Sequence, residues 1–116
     1  MRIHTRFLTV SLLLMAVGLL AGCPRRESIA QIDREPGRFE GREITIAGRV
    51  DNSLGAMGTG LYQVDDGTGR MWVFSENFGI PGRDARLAVT GRVEEGFSFG
   101  GRHFAMILRE TRRPHY

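Results

Sequence analysis

Leu61-Tyr62-Gln63-Val64-Asp65-Asp66-Gly67-Thr68-Gly69-Arg70-Met71-Trp72-Val73-Phe74 decides the fold of this chain. Two runs rich in apolar, β-branched and aromatic residues flank Asp66-Gly67-Thr68-Gly69. Two such runs around an Asp-Gly step make a β-hairpin, because Asp-Gly adopts the turn whose twist matches the strands on either side.

Working outward, Glu43-Ile44-Thr45-Ile46-Ala47-Gly48-Arg49-Val50 alternates with period two. Ile44, Ile46 and Val50 share one face and Thr45 and Arg49 the other, the pattern of a half-buried strand. Gly48 takes an inward position, where a missing side chain marks a bend or bulge. Asn52 to Gly60 is glycine-rich and reads as a flexible loop. Beyond the hairpin, Ser75 to Asp84 is a connector through Pro81-Gly82. Arg86 to Val93 is a fourth strand, Glu94 to Gly101 a second glycine-rich loop, and His103 to Arg109 a fifth strand. The first and fourth strands echo each other: Ile46-Ala47-Gly48-Arg49-Val50-Asp51 and Val89-Thr90-Gly91-Arg92-Val93-Glu94 share a mid-strand glycine. Strong curvature in both is what a small closed sheet requires. Ahead of the strands, Ser28 to Glu35 predicts a short helix with Ser28 as N-cap, Ile29 and Ile32 on one face, and Pro36-Gly37 as the stop. Residues 28–110 thus form one domain, followed by a basic tail over 111–116.

The amino terminus has a different character. Arg2 and Arg6 precede an uncharged run from Phe7 to Gly22, shorter than the roughly 20 residues that cross a bilayer as a helix. Basic, apolar and then small residues is the layout of a secretion signal, predicted here over residues 1–22 with a tether over 23–27. The protein has 116 residues and a single cysteine, Cys23, so no intramolecular disulfide can form. All 16 basic residues are arginine, and the formal net charge is +3. Arg2 and Arg6 leave with the signal, so the mature chain is close to neutral, which is weak support for nucleic-acid binding.

Two resemblances follow. Leu20-Ala21-Gly22-Cys23 resembles the bacterial lipobox, which implies recognition of Leu20, Ala21 and Gly22 by the signal peptidase and lipid, diacylglyceryl and palmitate, on Cys23. Pro24 follows the cysteine where an inner-membrane retention signal would have aspartate. That implies the periplasmic face of the outer membrane in a Gram-negative host, or otherwise the outer face of the cytoplasmic membrane. The second rests on Phe39-x-Gly41-x-x-Ile44-x-Ile46-x-Gly48-x-Val50, Tyr62-x-Val64-x-Asp66-Gly67-Thr68-Gly69-x-Met71-x-Val73 and Leu87-x-Val89-x-Gly91-x-Val93. Over residues 38–110 this resembles the bacterial OB families that include the tRNA-anticodon-binding type. It implies an all-β fold, a five-stranded Greek-key OB-fold barrel with a short N-terminal helix. The ligand surface implied is the outer face of the second and third strands, between the loops that follow the first and fourth. The haem chaperones of cytochrome c maturation are also periplasmic OB domains, but their histidine is followed four residues later by tyrosine, whereas His115 and Tyr116 are adjacent.

With Met71 and Val73 inward, Trp72 and Phe74 point outward, where bases stack in single-strand-binding OB domains. Arg49, Arg70 and Arg92 are candidate backbone contacts. Phe97 and Phe99 either clamp a ligand or plug a barrel end, and Trp72 is either open or covered. No catalytic constellation is expected: Asp65-Asp66 and Glu94-Glu95 are neighbours, and neighbouring strand residues face opposite ways. Gly67-Thr68-Gly69 lacks the lysine of a phosphate loop, and the histidines lack spaced partners for a metal. The sequence therefore predicts no cofactor and a non-enzymatic, membrane-anchored binding module for a peptide, glycan, small molecule or envelope protein. Single-stranded nucleic-acid binding and a structural envelope component are the alternatives.

Overall fold

In a computed structural model, the structure describes residues 25–56 and 59–113. The signal, Leu20, Ala21, Gly22 and the lipidation candidate Cys23 lie outside these residues, as does the end of the tail from 114.

Among the described residues, six strands and two helices follow one another: β1 (Arg25–Arg26), α1 (Ile29–Arg34), α2 (Pro36–Phe39), β2 (Glu43–Ala56), β3 (Thr59–Asp65), β4 (Arg70–Ser75), β5 (Arg86–Phe99) and β6 (Arg102–Arg112). The strands form one mixed sheet in the order β1-β2-β3-β4-β6-β5, and β5 pairs back onto β2. β2 to β6 thus make a ring of five strands. The ring is drawn together on one side by a short parallel contact, in which Trp72, Val73 and Phe74 of β4 lie opposite Ile107, Leu108 and Arg109 of β6. The two-residue β1 adds a sixth, parallel strand to the start of β2, beyond the five that the alternation predicts.

The alternation sorts the side chains. Ile44, Ile46, Val50, Tyr62, Val64, Met71, Val73, Val89, Val93 and Leu108 fill the interior with Ile29, Ile32 and Phe39 from the helices. Burying a side chain of this size stabilises by roughly 1.5–3 kcal/mol, so the two isoleucines of α1 hold it as a plug in the ring. The predicted cap is present, with Ser28 Oγ accepting from Gln31 N at 3.2 Å. The hairpin turn holds the same helix end. Asp66 Oδ2 accepts from Ile29 N at 2.9 Å, and Thr68 Oγ1 accepts from Ala30 N at 3.1 Å. Pro36, read as the stop, ends α1 and also opens α2, since its fixed φ suits a first helical position.

Both mid-strand glycines stand where backbones crowd. A Cβ at Gly48 would lie 2.2 Å from the Asp65 carbonyl oxygen, and one at Gly91 2.3 Å from that of Arg109. Among the described residues, most of the two predicted loops is strand. β2 continues through Asp51 to Ala56 after a register shift between Val50 and Asn52, and pairs with β3 as far as Thr59. β5 runs on to Phe99 and forms an arm with the first half of β6, Phe97 lying opposite Phe104. Each stretch is rich in glycine, but the partner strand satisfies its backbone groups and overrides the local preference. The start of the predicted tail is also ordered: Thr111 and Arg112 close β6.

The ring end opposite α1 is sealed by a polar network. Tyr62, fully buried, donates from its hydroxyl to Glu110 Oε2 at 2.7 Å. Arg113 donates to Glu110 Oε1 at 2.8 Å and to the carbonyls of Phe78 and Gly79 at 2.8 and 2.9 Å. Burial, then the charge of Glu110, push the Tyr62 hydroxyl far above its ordinary value.

Candidate ligand groove

Outward residues of β2, β3, β4 and β6 form a second apolar layer. Leu61, Phe74, Phe104 and Ile107 are buried there, with Leu54, Trp72, Phe97 and Phe99 packed against them. The β5–β6 arm supplies the cover: Phe97 and Phe99 reach Phe74 with ring centroids 4.8 and 5.6 Å away. The Arg109 guanidinium lies 5.1 Å over Phe74 and 5.5 Å over Phe97. Arg109 is fixed in turn by Glu94 at 2.6 Å and Glu76 at 2.8 Å. Phe74 is only 6% exposed, so it is a core residue of this outer layer. Phe97 and Phe99 are its half-buried lid.

Trp72 is half-buried, with Phe104 edge-on at 5.5 Å. It lines a groove with Asp33, Pro36, Arg70, Glu95, Arg102, His103 and Phe104. The groove exists because β4 and β6 touch only from Trp72 and Ile107 onward, leaving Arg70–Met71 and Arg102–Met106 apart. The free space is about 610 Å³, within the range of sites for small ligands. Its floor is aromatic and its walls carry both signs of charge. Arg102 lies 5.7 Å over Trp72 and 5.2 Å over Phe104; Glu95 belongs to the same β5–β6 arm, and Asp33 comes from α1. Burial against the hairpin turn, then the charge of Asp66, raise the carboxyl of Asp33 above its ordinary value.

The three arginines proposed as backbone contacts do not converge. Arg70 reaches the groove but is bound to Asp51 and Asp65 at 3.3 and 3.6 Å. Arg49 lines a different groove with Arg26, Asp65, Asp66 and Arg86 and pairs with Asp84 at 2.7 Å. Arg92 donates to the Gly41 carbonyl at 3.1 Å. Of the seven sequence candidates, the groove therefore unites Trp72 and Arg70, and adds Asp33, Glu95, Arg102, His103 and Phe104. Phe104 had a signal in its alternation with Met106. The others follow only from the divergence of two strands far apart in sequence. Among the described residues no cluster of histidine, cysteine and carboxylates has the geometry of a metal site.

No family model and no curated protein matches the chain. Solved structures do. Asparaginyl-tRNA synthetase from Pyrococcus horikoshii, complexed with asparaginyl-adenylate, aligns with a TM-score of 0.53 and 16% identity, over 66% of this chain and 19% of that one. The part matched is the synthetase's OB-fold anticodon-binding domain. The fold is an OB-fold. Two OBodies bound to hen egg-white lysozyme, AM3L09 and AM2EP06, align with TM-scores of 0.51 and 0.50 at 17% and 18% identity. They cover 66% of this chain and 82% and 81% of their own. Identities this low speak for the fold alone, because OB-folds host unrelated functions. Within this OB-fold the outer faces of β3 and β4 carry the buried aromatic layer, and the open part of that surface is the groove beside the β5–β6 arm.

Proposed function

We propose that the protein is an exported lipoprotein, acylated on Cys23, whose OB-fold is a non-enzymatic binding module in the cell envelope. The anchoring part rests on the signal and lipobox; the periplasmic face of the outer membrane is its place in a Gram-negative host. The binding part is carried by one observation: Trp72, a half-buried aromatic, floors a groove whose lining holds both arginine and carboxylate. Such a wall suits a ligand of mixed charge, whether peptide, glycan, small molecule or the surface of an envelope protein. Its two carboxylates offset its two arginines, which weighs against a polyphosphate, and the salt bridges on Arg49 and Arg70 weigh against single-stranded nucleic acid in the same way. What favours the nucleic-acid alternative is the position of Trp72 on the third barrel strand.

Two measurements test this. Labelled fatty acid enters the wild type and not Cys23→Ser; equal labelling of both rejects the anchor. Trp72 is the sole tryptophan, so its fluorescence reports ligands directly. Envelope peptides and glycans are expected to shift it, and oligonucleotides at physiological salt are not. Salt-sensitive oligonucleotide binding abolished by Trp72→Ala supports the alternative. A stable crosslinked partner with no response at Trp72 supports a structural component.

A further inference from the structure

We infer that the Trp72 groove takes an extended peptide with a basic side chain, which adds as a strand to the open edge of β6 from Arg102 to Met106. This rests on the binding module proposed above and not on the anchor. β6 has two edges. One pairs with β5 along the arm, where Phe97, Ser98 and Phe99 lie opposite Phe104, His103 and Arg102. The other pairs with β4, but only at Ile107, Leu108 and Arg109. From Arg102 to Met106 that second edge has no strand beside it. Among the described residues, no backbone hydrogen bond from a turn or loop reaches it either.

Neighbouring strand residues send their N–H and C=O groups to opposite edges, so alternate residues of this stretch hold a donor and an acceptor outward. All five residues from Arg102 to Met106 line the groove, along about 13 Å of strand. Arg70 and Met71 line it as well, and β3 is their only strand partner. A groove bordered by unpaired strand is matched by a ligand with a peptide backbone, which completes the ladder. A glycan has no such ladder to offer. The outer edge of the arm, β5 beyond Val93, also lacks a partner strand. There, however, Gly96 has a φ of 69°, which breaks the regular ladder that an added strand needs.

Charge selects among peptides. Of the arginines in the groove, Arg70 is held by Asp51 and Asp65, and Arg102 lies on the rings of Trp72 and Phe104. Asp33 and Glu95 line the same groove and are exposed. Among the described residues neither has a basic partner. The charge of Asp66 already acts on Asp33 and helps to raise its carboxyl, a repulsion that an added cation relieves. A lysine or arginine of the peptide therefore meets these carboxylates. Peptide residues two apart share a face, so a second side chain reaches Trp72 and Phe104.

Selection from a randomised peptide library on the full-length protein tests this, with the tightest member then made as a free peptide. Lysine or arginine is expected in the enriched sequences, and binding is expected to shift Trp72 fluorescence. Amide hydrogen exchange should slow about tenfold or more at alternate residues between Arg102 and Met106 when the peptide binds. Glu95→Lys combined with Asp33→Asn should weaken binding by about two- to fivefold or more, as the loss of exposed ion pairs does. Peptide binding without slower exchange at Arg102–Met106 overturns the strand addition. Unchanged affinity in the double variant overturns the basic side chain. A glycan or small molecule that shifts Trp72 fluorescence when no peptide is enriched overturns the peptide ligand and leaves the binding module standing. No response at Trp72 to any of the three rejects the binding module as well.

Discussion

The Tyr62 hydroxyl donates to Glu110 Oε2 at 2.7 Å, and the Glu110 side chain, fully buried, is balanced by Arg113 at 2.8 Å. This pair, with Arg113 reaching the connector after β4, closes one end of the barrel. Tyr62→Phe is expected to cost about 1–3 kcal/mol, because it leaves a buried carboxylate short of a donor. Removing the charge partner with Arg113→Ala should cost more, up to about 3–5 kcal/mol. Urea denaturation of the two variants measures both.

Tyr62 also sets an alkaline limit. Burial, then Glu110, raise its pKa above the ordinary 10.0, so the folded state holds this proton more tightly than the unfolded chain. The contribution is complete below pH 10.0 and is lost as pH rises beyond it. Wild-type stability should therefore fall above about pH 10, and Tyr62→Phe should flatten that part of the profile. Denaturation midpoints across alkaline pH, with phenolate absorbance, test it. An unchanged slope in the variant rejects this role.

Asp66 sets the acid limit. Burial alone would raise its pKa, but hydrogen bonds from the Thr68 hydroxyl and from the backbone N–H groups of Ile29, Thr68 and Gly69 outweigh that and lower it. Its stabilisation is present above the ordinary 3.8 and is lost as pH falls through the depressed value. Asp66→Ala, which removes the acceptor for α1, should cost about 1–2 kcal/mol at neutral pH. The gap from the wild type should narrow in acid. Asp33→Asn should stabilise, by removing the repulsion from Asp66.

Gly48 and Gly91 are predicted to refuse even alanine. The clash in each case is with a backbone carbonyl rather than a flexible side chain, so the cost should reach or exceed about 3 kcal/mol. Gly37→Ala, with open space around its Cβ, is the control and should be tolerated. Thermal melts compare the three directly.

The aromatic layer can be separated from surface aromatics in one experiment. Phe74→Ala should cost about 3–5 kcal/mol as a buried large-to-small change. Phe78→Ala, at a residue 40% exposed, should fall within about 0.5 kcal/mol of the wild type. If Phe74→Ala is equally mild, the outer aromatic layer does not stabilise the fold.

The amino-acid order by itself determined the barrel. Alternation in Ile44–Val50, Tyr62–Val64 and Met71–Val73 chose the inward faces, Asp66-Gly67 chose the hairpin, and Gly48 and Gly91 chose the bends. These are local properties, fixed by strand periodicity and by turn and glycine stereochemistry. The groove is not local. Trp72 and Arg70 become part of it only because β4 and β6 diverge. Asp33 reaches it because α1 docks on a turn 37 positions away in sequence. The same tertiary arrangement withdrew Phe74 beneath Phe97, Phe99 and Arg109, and scattered Arg49 and Arg92 to other surfaces. Alternation says that a residue points outward. Whether it meets water, another strand or a ligand depends on what the rest of the chain lays over it.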